Sequence, residues 1–122
     1  MNCSIIIINS SLKGGFHSMK KFTTQKADQC IPKRVQNTLF SLVEKREIEY
    51  SRLYNQQPDY FSVFKLKILP NEIKVIFIQE EPEFNQIMTM KNKEYFKIDK
   101  IYVIRDDNSD ISFLTMLLPE EY

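Results

Sequence analysis

YFSVFKLKILPNEIKVIFIQE, Tyr60 to Glu80, is the stretch that decides the fold. Its first half places Phe64, Leu66 and Ile68 on one side and Val63, Lys65 and Lys67 on the other. That period of two belongs to a strand with unlike faces. Leu69-Pro70-Asn71 turns the chain, and EIKVIFIQE returns with the β-branched residues that suit a pleated surface. Further on, Gln86 to Lys91 (QIMTMK), Lys97 to Arg105 (KIDKIYVIR) and Ile111 to Leu118 (ISFLTMLL) read as three more strands. The run Asp106 to Asp110, DDNSD, is expected to make the last hairpin turn, because Asx side chains stabilise turns without glycine.

Ahead of this sheet the period lengthens. In KRVQNTLFSLVEKREIE, Val35, Leu39, Leu42 and Val43 share one helical face with Phe40 beside them. Lys33, Arg34, Glu44, Lys45 and Arg46 fall mostly outside that stripe. Pro32 suits the first helical position, where its missing N–H has no partner to lose. The helix is expected from about residue 32 to 47 or somewhat beyond, and Asn55 to Asp59 ends it, since the residue before Pro58 avoids helical angles. Phe22 to Gln25, FTTQ, fits a short strand or an extended arm. The reading is a two-layer α+β domain, with one main helix on a five-stranded, largely antiparallel sheet.

Residues 1–18 stand apart. Ile5 to Ile8 is too short for a signal peptide's apolar run of about 7–15 residues, and no basic residue precedes it. A transmembrane helix needs roughly 20 apolar residues. Lys13-Gly14-Gly15 is encoded AAR-GGN-GGN, which can spell a ribosome-binding sequence, and Phe16, His17 and Ser18 separate it from Met19 by a suitable spacing. Residues 1–18 are therefore expected to be a non-native or disordered leader, and 19–122 a single domain. From Met19 onward the chain has no histidine and no glycine, and one cysteine, Cys30. One cysteine makes no internal disulfide, so a cytoplasmic setting fits. Without glycine-rich loops, phosphate cradles of the Walker or dinucleotide type are excluded. No cofactor and no metal site is expected.

The net charge of the whole chain is +1, which hides an asymmetry: residues 19–79 carry 11 basic and 6 acidic side chains, residues 80–122 carry 5 and 10. The two halves either pair inside the fold or form separate basic and acidic faces.

DYFSVFKL, QEEPEF and the closing FLTMLLPEEY resemble a small staphylococcal family of unknown function, filed as domain of unknown function 960. The resemblance covers about residues 20–122 and is most specific from Thr115 to Tyr122. Members often have a shorter turn with a glycine where this chain has DDNSD. The family occurs in staphylococcal cassette elements and other mobile DNA, which implies an accessory role in such an element. It has no established catalytic residues.

Two sets of candidate site residues follow. Glu80, Glu81, Glu83, Asp106, Asp107, Asp110, Glu120 and Glu121 could form an acidic face for a protein partner, with Phe84 and Tyr122 as aromatic anchors. A third aromatic, Tyr95, is also in surplus. Carboxylate clusters also bind hard cations or work as acid and base; solvated turns account for the same residues. Lys20, Lys21, Lys26, Lys33, Arg34, Arg46 and Arg52, with Lys65, Lys67 and Lys74 from the sheet, could instead bind nucleic acid if several share a face with stacking aromatics. The expectation is a non-enzymatic protein acting by protein–protein contact, with nucleic-acid binding the alternative and no membrane association.

Overall fold

The computed structural model describes residues 2–6, 19–108 and 111–122. Seven strands form one sheet: β1 (Asn2–Ile6), β2 (Met19–Thr23), β3 (Phe61–Ile68), β4 (Glu72–Glu80), β5 (Glu83–Lys91), β6 (Lys100–Asn108) and β7 (Ile111–Leu117). Their spatial order is β1-β2-β7-β6-β3-β4-β5. All neighbours are antiparallel except β2 and β7, which run parallel with Met19 opposite Ser112 and Thr23 opposite Met116. Two helices, α1 (Gln25–Cys30) and α2 (Lys33–Tyr54), connect β2 to β3.

The α+β class and the helix-on-sheet layering hold, and the element count is larger than the sequence reading gave. Of FTTQ, Phe22 and Thr23 end a sheet strand that starts at Met19, while Thr24 and Gln25 open the first helix. The stretch Asn2–Ile6, assigned to the leader, lies antiparallel along β2. Residues 7–18 of that leader lie outside the described residues. DDNSD is not a turn throughout: Asp106, Asp107 and Asn108 continue β6 and pair with Phe113, Ser112 and Ile111. Asp110 lies outside the described residues.

Local chemistry sets the helix ends. Thr24 caps α1, its hydroxyl accepting from the Ala27 N–H at 3.2 Å. That helix stops because Ile31, before Pro32, is extended. Pro32 is the cap residue of α2, one position earlier than expected. The helix continues to Tyr54 and closes on Asn55, whose φ of 53° is left-handed. Asparagine tolerates that conformation at a helix end.

Alternation along the strands sends Phe64, Leu66, Ile73, Val75, Phe77, Ile101, Val103, Leu114 and Met116 into a core with Val35, Leu39, Phe40 and Val43 of α2. At about 25 cal/mol per Å² of apolar surface, this one layer supplies most of the hydrophobic stabilisation. Phe64 and Phe77 stack at its centre, 4.6 Å between ring centroids. Among the described residues, no α-helix lies on the opposite face of the sheet. At the C-terminus a 3₁₀ turn, Pro119–Glu121, is held by Glu121, whose Oε1 accepts from the Leu118 N–H at 2.9 Å and the Thr24 hydroxyl at 2.8 Å. No helix among the described residues is long and apolar enough to cross a membrane.

Candidate functional site

The buried stripe of α2 contains carboxylates as well as apolar residues. Glu44 and Glu47 follow Phe40 and Val43 at helical spacing and point at the sheet; both are buried. Arg105 shares the inward parity of Ile101 and Val103 and ion-pairs with Glu47 and, at 3.0 Å, with Asp107. Asp107 Oδ1 also accepts from the Ser112 hydroxyl at 2.8 Å. Gln79, inward like Phe77, accepts from Arg46 Nε at 3.0 Å and donates to Ser62 Oγ at 3.0 Å. Asp59 closes the network: Oδ1 accepts from the Phe61 N–H, and Oδ2 from the Glu80 and Glu81 N–H groups, at 2.9–3.0 Å. Arg46 lies 3.9 Å over the Phe84 ring and 4.7 Å over Tyr50.

Burial governs the titration here. It pushes the Glu47 carboxyl up to about 7, with Arg105 only partly offsetting it. Burial also raises Glu44, whose nearest cation, Lys21 Nζ, is 3.9 Å away and whose Oε2 has no hydrogen-bond partner among the described residues. Asp59 and Asp107 behave oppositely. Burial opposes their ionisation, but the backbone N–H groups around Asp59, and Ser112 with Arg105 around Asp107, hold both below the usual carboxylate range. Glu47, Arg105 and Gln79 are sealed between helix and sheet, so the chemistry they support is the docking of α2 rather than contact with a solute. Sequence reasoning placed Glu44 outside the apolar stripe and gave Glu47 no role; extending the 35–39–43 spacing by one turn finds Glu47, and strand parity finds Arg105 and Gln79.

The predicted acidic set does not converge. Glu80 and Glu83 pair across the β4–β5 hairpin, with Glu81 exposed in the turn between them. Asp106 and Asp107 point to opposite faces of β6. Glu120 and Glu121 sit in the C-terminal 3₁₀ turn, engaged with Lys26 and Thr24. Phe84 is half-buried against the core beneath Arg46 and is not a free anchor. The predicted basic set disperses too. Lys21 lies on the helix side with Glu44, Lys33 meets Asp28 at 3.4 Å, and Arg34 donates to the Lys91 carbonyl. Arg52 stands exposed in the last turn of α2. Cys30 packs half-buried at the core edge, beside a cleft of about 440 Å³ lined by Asp28, Gln36, Tyr95 and Phe96.

What the structure does bring together is the uncovered face of the sheet. The registers place Phe61 opposite Ile104, Val63 opposite Tyr102 and Ile78, and Ile76 opposite Ile87. Most of these are half-buried by neighbours on the sheet, and Ile87 is 60% exposed. Tyr122, 69% exposed, stacks on Phe61 at 5.2 Å and meets Tyr102 edge-on at 5.7 Å. On the far strands Lys20 lies 5.8 Å over Phe113, which packs beside Phe22. Charge is sorted along the strands. Lys65 stands directly opposite Lys100 and Lys67 opposite Lys74 at one end, followed by Glu72 opposite Lys91. Glu80, Glu83 and Asp106 lie at the other end, all exposed. Like charges directly opposite on adjacent strands are destabilising, so folding gains nothing from the lysine pairs.

No family model matches the chain, and no curated protein does. Among solved structures, the chain is similar to a protein of unknown function from Enterococcus faecalis, with a TM-score of 0.56 and 16% identity over 84% of this chain and 89% of that one. At that identity the likeness extends to the fold: the helix-on-sheet architecture is shared with the Enterococcus protein.

Proposed function

We propose that this protein is a non-catalytic contact domain whose working surface is the uncovered face of the sheet. The observation that carries the reading is a continuous row of branched and aromatic side chains, from Ile87 across Ile76, Ile78 and Val63 to Tyr102 and Ile104, with no second layer over it among the described residues. Exposed apolar patches of this extent mark interaction surfaces. The carboxylates that burial raises, Glu44 and Glu47, lie on the helix side beside Lys21 and Arg105, which supports contact over catalysis. The resemblance to the staphylococcal family adds an accessory role in a mobile element, and the single cysteine from Met19 onward a cytoplasmic setting. Affinity capture from extract of the source organism tests this: Ile76→Arg with Ile104→Arg is expected to abolish capture, and Arg52→Glu on the helix side to leave it intact. Capture indifferent to the open-face pair refutes the reading.

The lysine pairs Lys65–Lys100 and Lys67–Lys74 support a second reading, a nucleic acid laid across the basic end. Retention on single-stranded DNA that falls steeply with salt is its expected signature.

A further inference from the structure

The open face is polar along its strands in a way that one occupant satisfies from both ends. Its basic end holds Lys65, Lys67, Lys74 and Lys100, beside the cross-strand Glu72 and Lys91; its acidic end holds Glu80, Glu83 and Asp106; the apolar row crosses obliquely between them, Ile76 standing opposite Lys65. No ion pair joins any of those four lysines or three carboxylates to another charged group among the described residues. Rotation by 180° about an axis in the plane of the face, perpendicular to the strands and passing between Ile76 and Ile78, carries Lys74 onto Glu80 and Ile76 onto Ile78 along β4. A surface with that property is complementary to its own copy, which is the requirement for an isologous two-fold interface.

We infer that the protein forms a homodimer in which two copies pack open face to open face, strand ends reversed, with Lys67 and Lys74 of one copy near Glu80 and Glu83 of the other. This rests on the reading of the open face as the working surface and names the partner as a second copy of the chain.

Size and chemistry agree. Six strands about 4.8 Å apart and roughly eight residues long span an area on the order of 600 Å² in projection. That is comparable to the ~800 Å² per partner of a stable interface. Face-to-face sheets pack about 10 Å apart through alternating side chains, as these would. The same features weigh against nucleic acid. Glu80, Glu83 and Asp106 repel phosphate, the aliphatic Val63, Ile76 and Ile78 offer no ring to a base, and Tyr122 already occupies the Phe61 ring.

Charge reversal tests the inference on the full chain. Lys67→Glu with Lys74→Glu sets acidic side chains against Glu80 and Glu83 of the other copy; Glu80→Lys with Glu83→Lys sets basic side chains against its Lys67 and Lys74. Light scattering coupled to size exclusion at about 100 µM, above the micromolar dissociation constant of a modest interface, is expected to show a wild-type dimer. Each variant alone is expected to dissociate, with its dimerisation weakened at least about tenfold. An equimolar mixture of the two is expected to restore a dimer, now mixed, and this recovery also proves both variants folded. A monomeric wild type overturns the inference. If extract capture still depends on Ile76 and Ile104 in that case, the contact reading stands and only the second copy is lost. A dimer that ignores both charge reversals uses another surface and also overturns it. So does a monomer that retains oligothymidine through Lys67 and Lys74, which transfers the face to nucleic acid.

Discussion

Under α2 the sheet presents ions, and on its other face it presents rings and branched side chains to solvent. Glu44, Glu47, Arg105 and Gln79 are buried; Ile87 and Tyr122 are mostly exposed. The helix side tolerates its charges because nearly every polar atom there has a partner: Arg105 bridges Glu47 and Asp107, and Asp59 accepts three backbone N–H groups. Burial is affordable for a charge only on that condition. The open side holds apolar groups that gain little from the monomer's own packing. The comparison separates residues kept for the fold from residues the fold does not need.

Substitutions can break the contrast, beginning with the helix side. Arg105→Ala leaves Glu47 and Asp107 facing each other without their cation. A loss of about 3–5 kcal/mol is expected in urea or guanidinium unfolding.

The second test is pH. Glu47 is raised from 4.5 to about 7 in the folded protein, and Glu44 is raised too. Between those values the folded state binds more protons than the unfolded state, so stability falls as pH rises. Asp59 and Asp107 are lowered, so their contribution is present above the unfolded aspartate value of 3.8 and is lost as pH falls through their folded values. Unfolding free energy is therefore expected to peak at mildly acidic pH, near 4.5, and to decline toward neutrality by up to about 3 kcal/mol from Glu47, with the melting temperature following it. A profile that rises steadily from pH 4.5 to 8 contradicts this.

A smaller effect of opposite sign is expected of Glu44→Met. It removes a buried carboxylate whose Oε2 has no hydrogen-bond partner and leaves Lys21 beside the Phe40 ring. A gain of roughly 1 kcal/mol in unfolding free energy is the expected outcome. Smallest of all is Ile87→Thr on the open face, which should leave monomer stability within about 0.5 kcal/mol. A loss of several kcal/mol there would move the open face into the core and erase the contrast.

The sequence made the two periods legible and left their consequences partly hidden. Alternation in FSVFKLKI and the 35–39–43 stripe were enough to place β3, α2 and the core between them. Strand β2 was harder, because its partner β7 is remote in sequence and no local pattern announces a parallel pair. The short α1 rests on one cap, Thr24, rather than on a periodic face. Asp106 and Asp107 look like turn residues, and Asp107 became a strand residue because Arg105 and Ser112 satisfy it. The working face was least legible. Alternation tells which residues share a face, but which of the two faces the helix covers is settled only by the path of the chain.

The parallel pairing of β2 with β7 also bears on how the molecule is made. Met19 and Ser112 are neighbours in the sheet, yet both helices and strands β3 to β6 lie between them in sequence. Contacts that close so long a loop are slow to form. On the ribosome β2 has to wait for β7, the last strand to emerge, and until then β2 and the β6 edge both lack the partner that joins them. β7 joins β2 to β6, so the cooperativity of the whole sheet waits on that one strand.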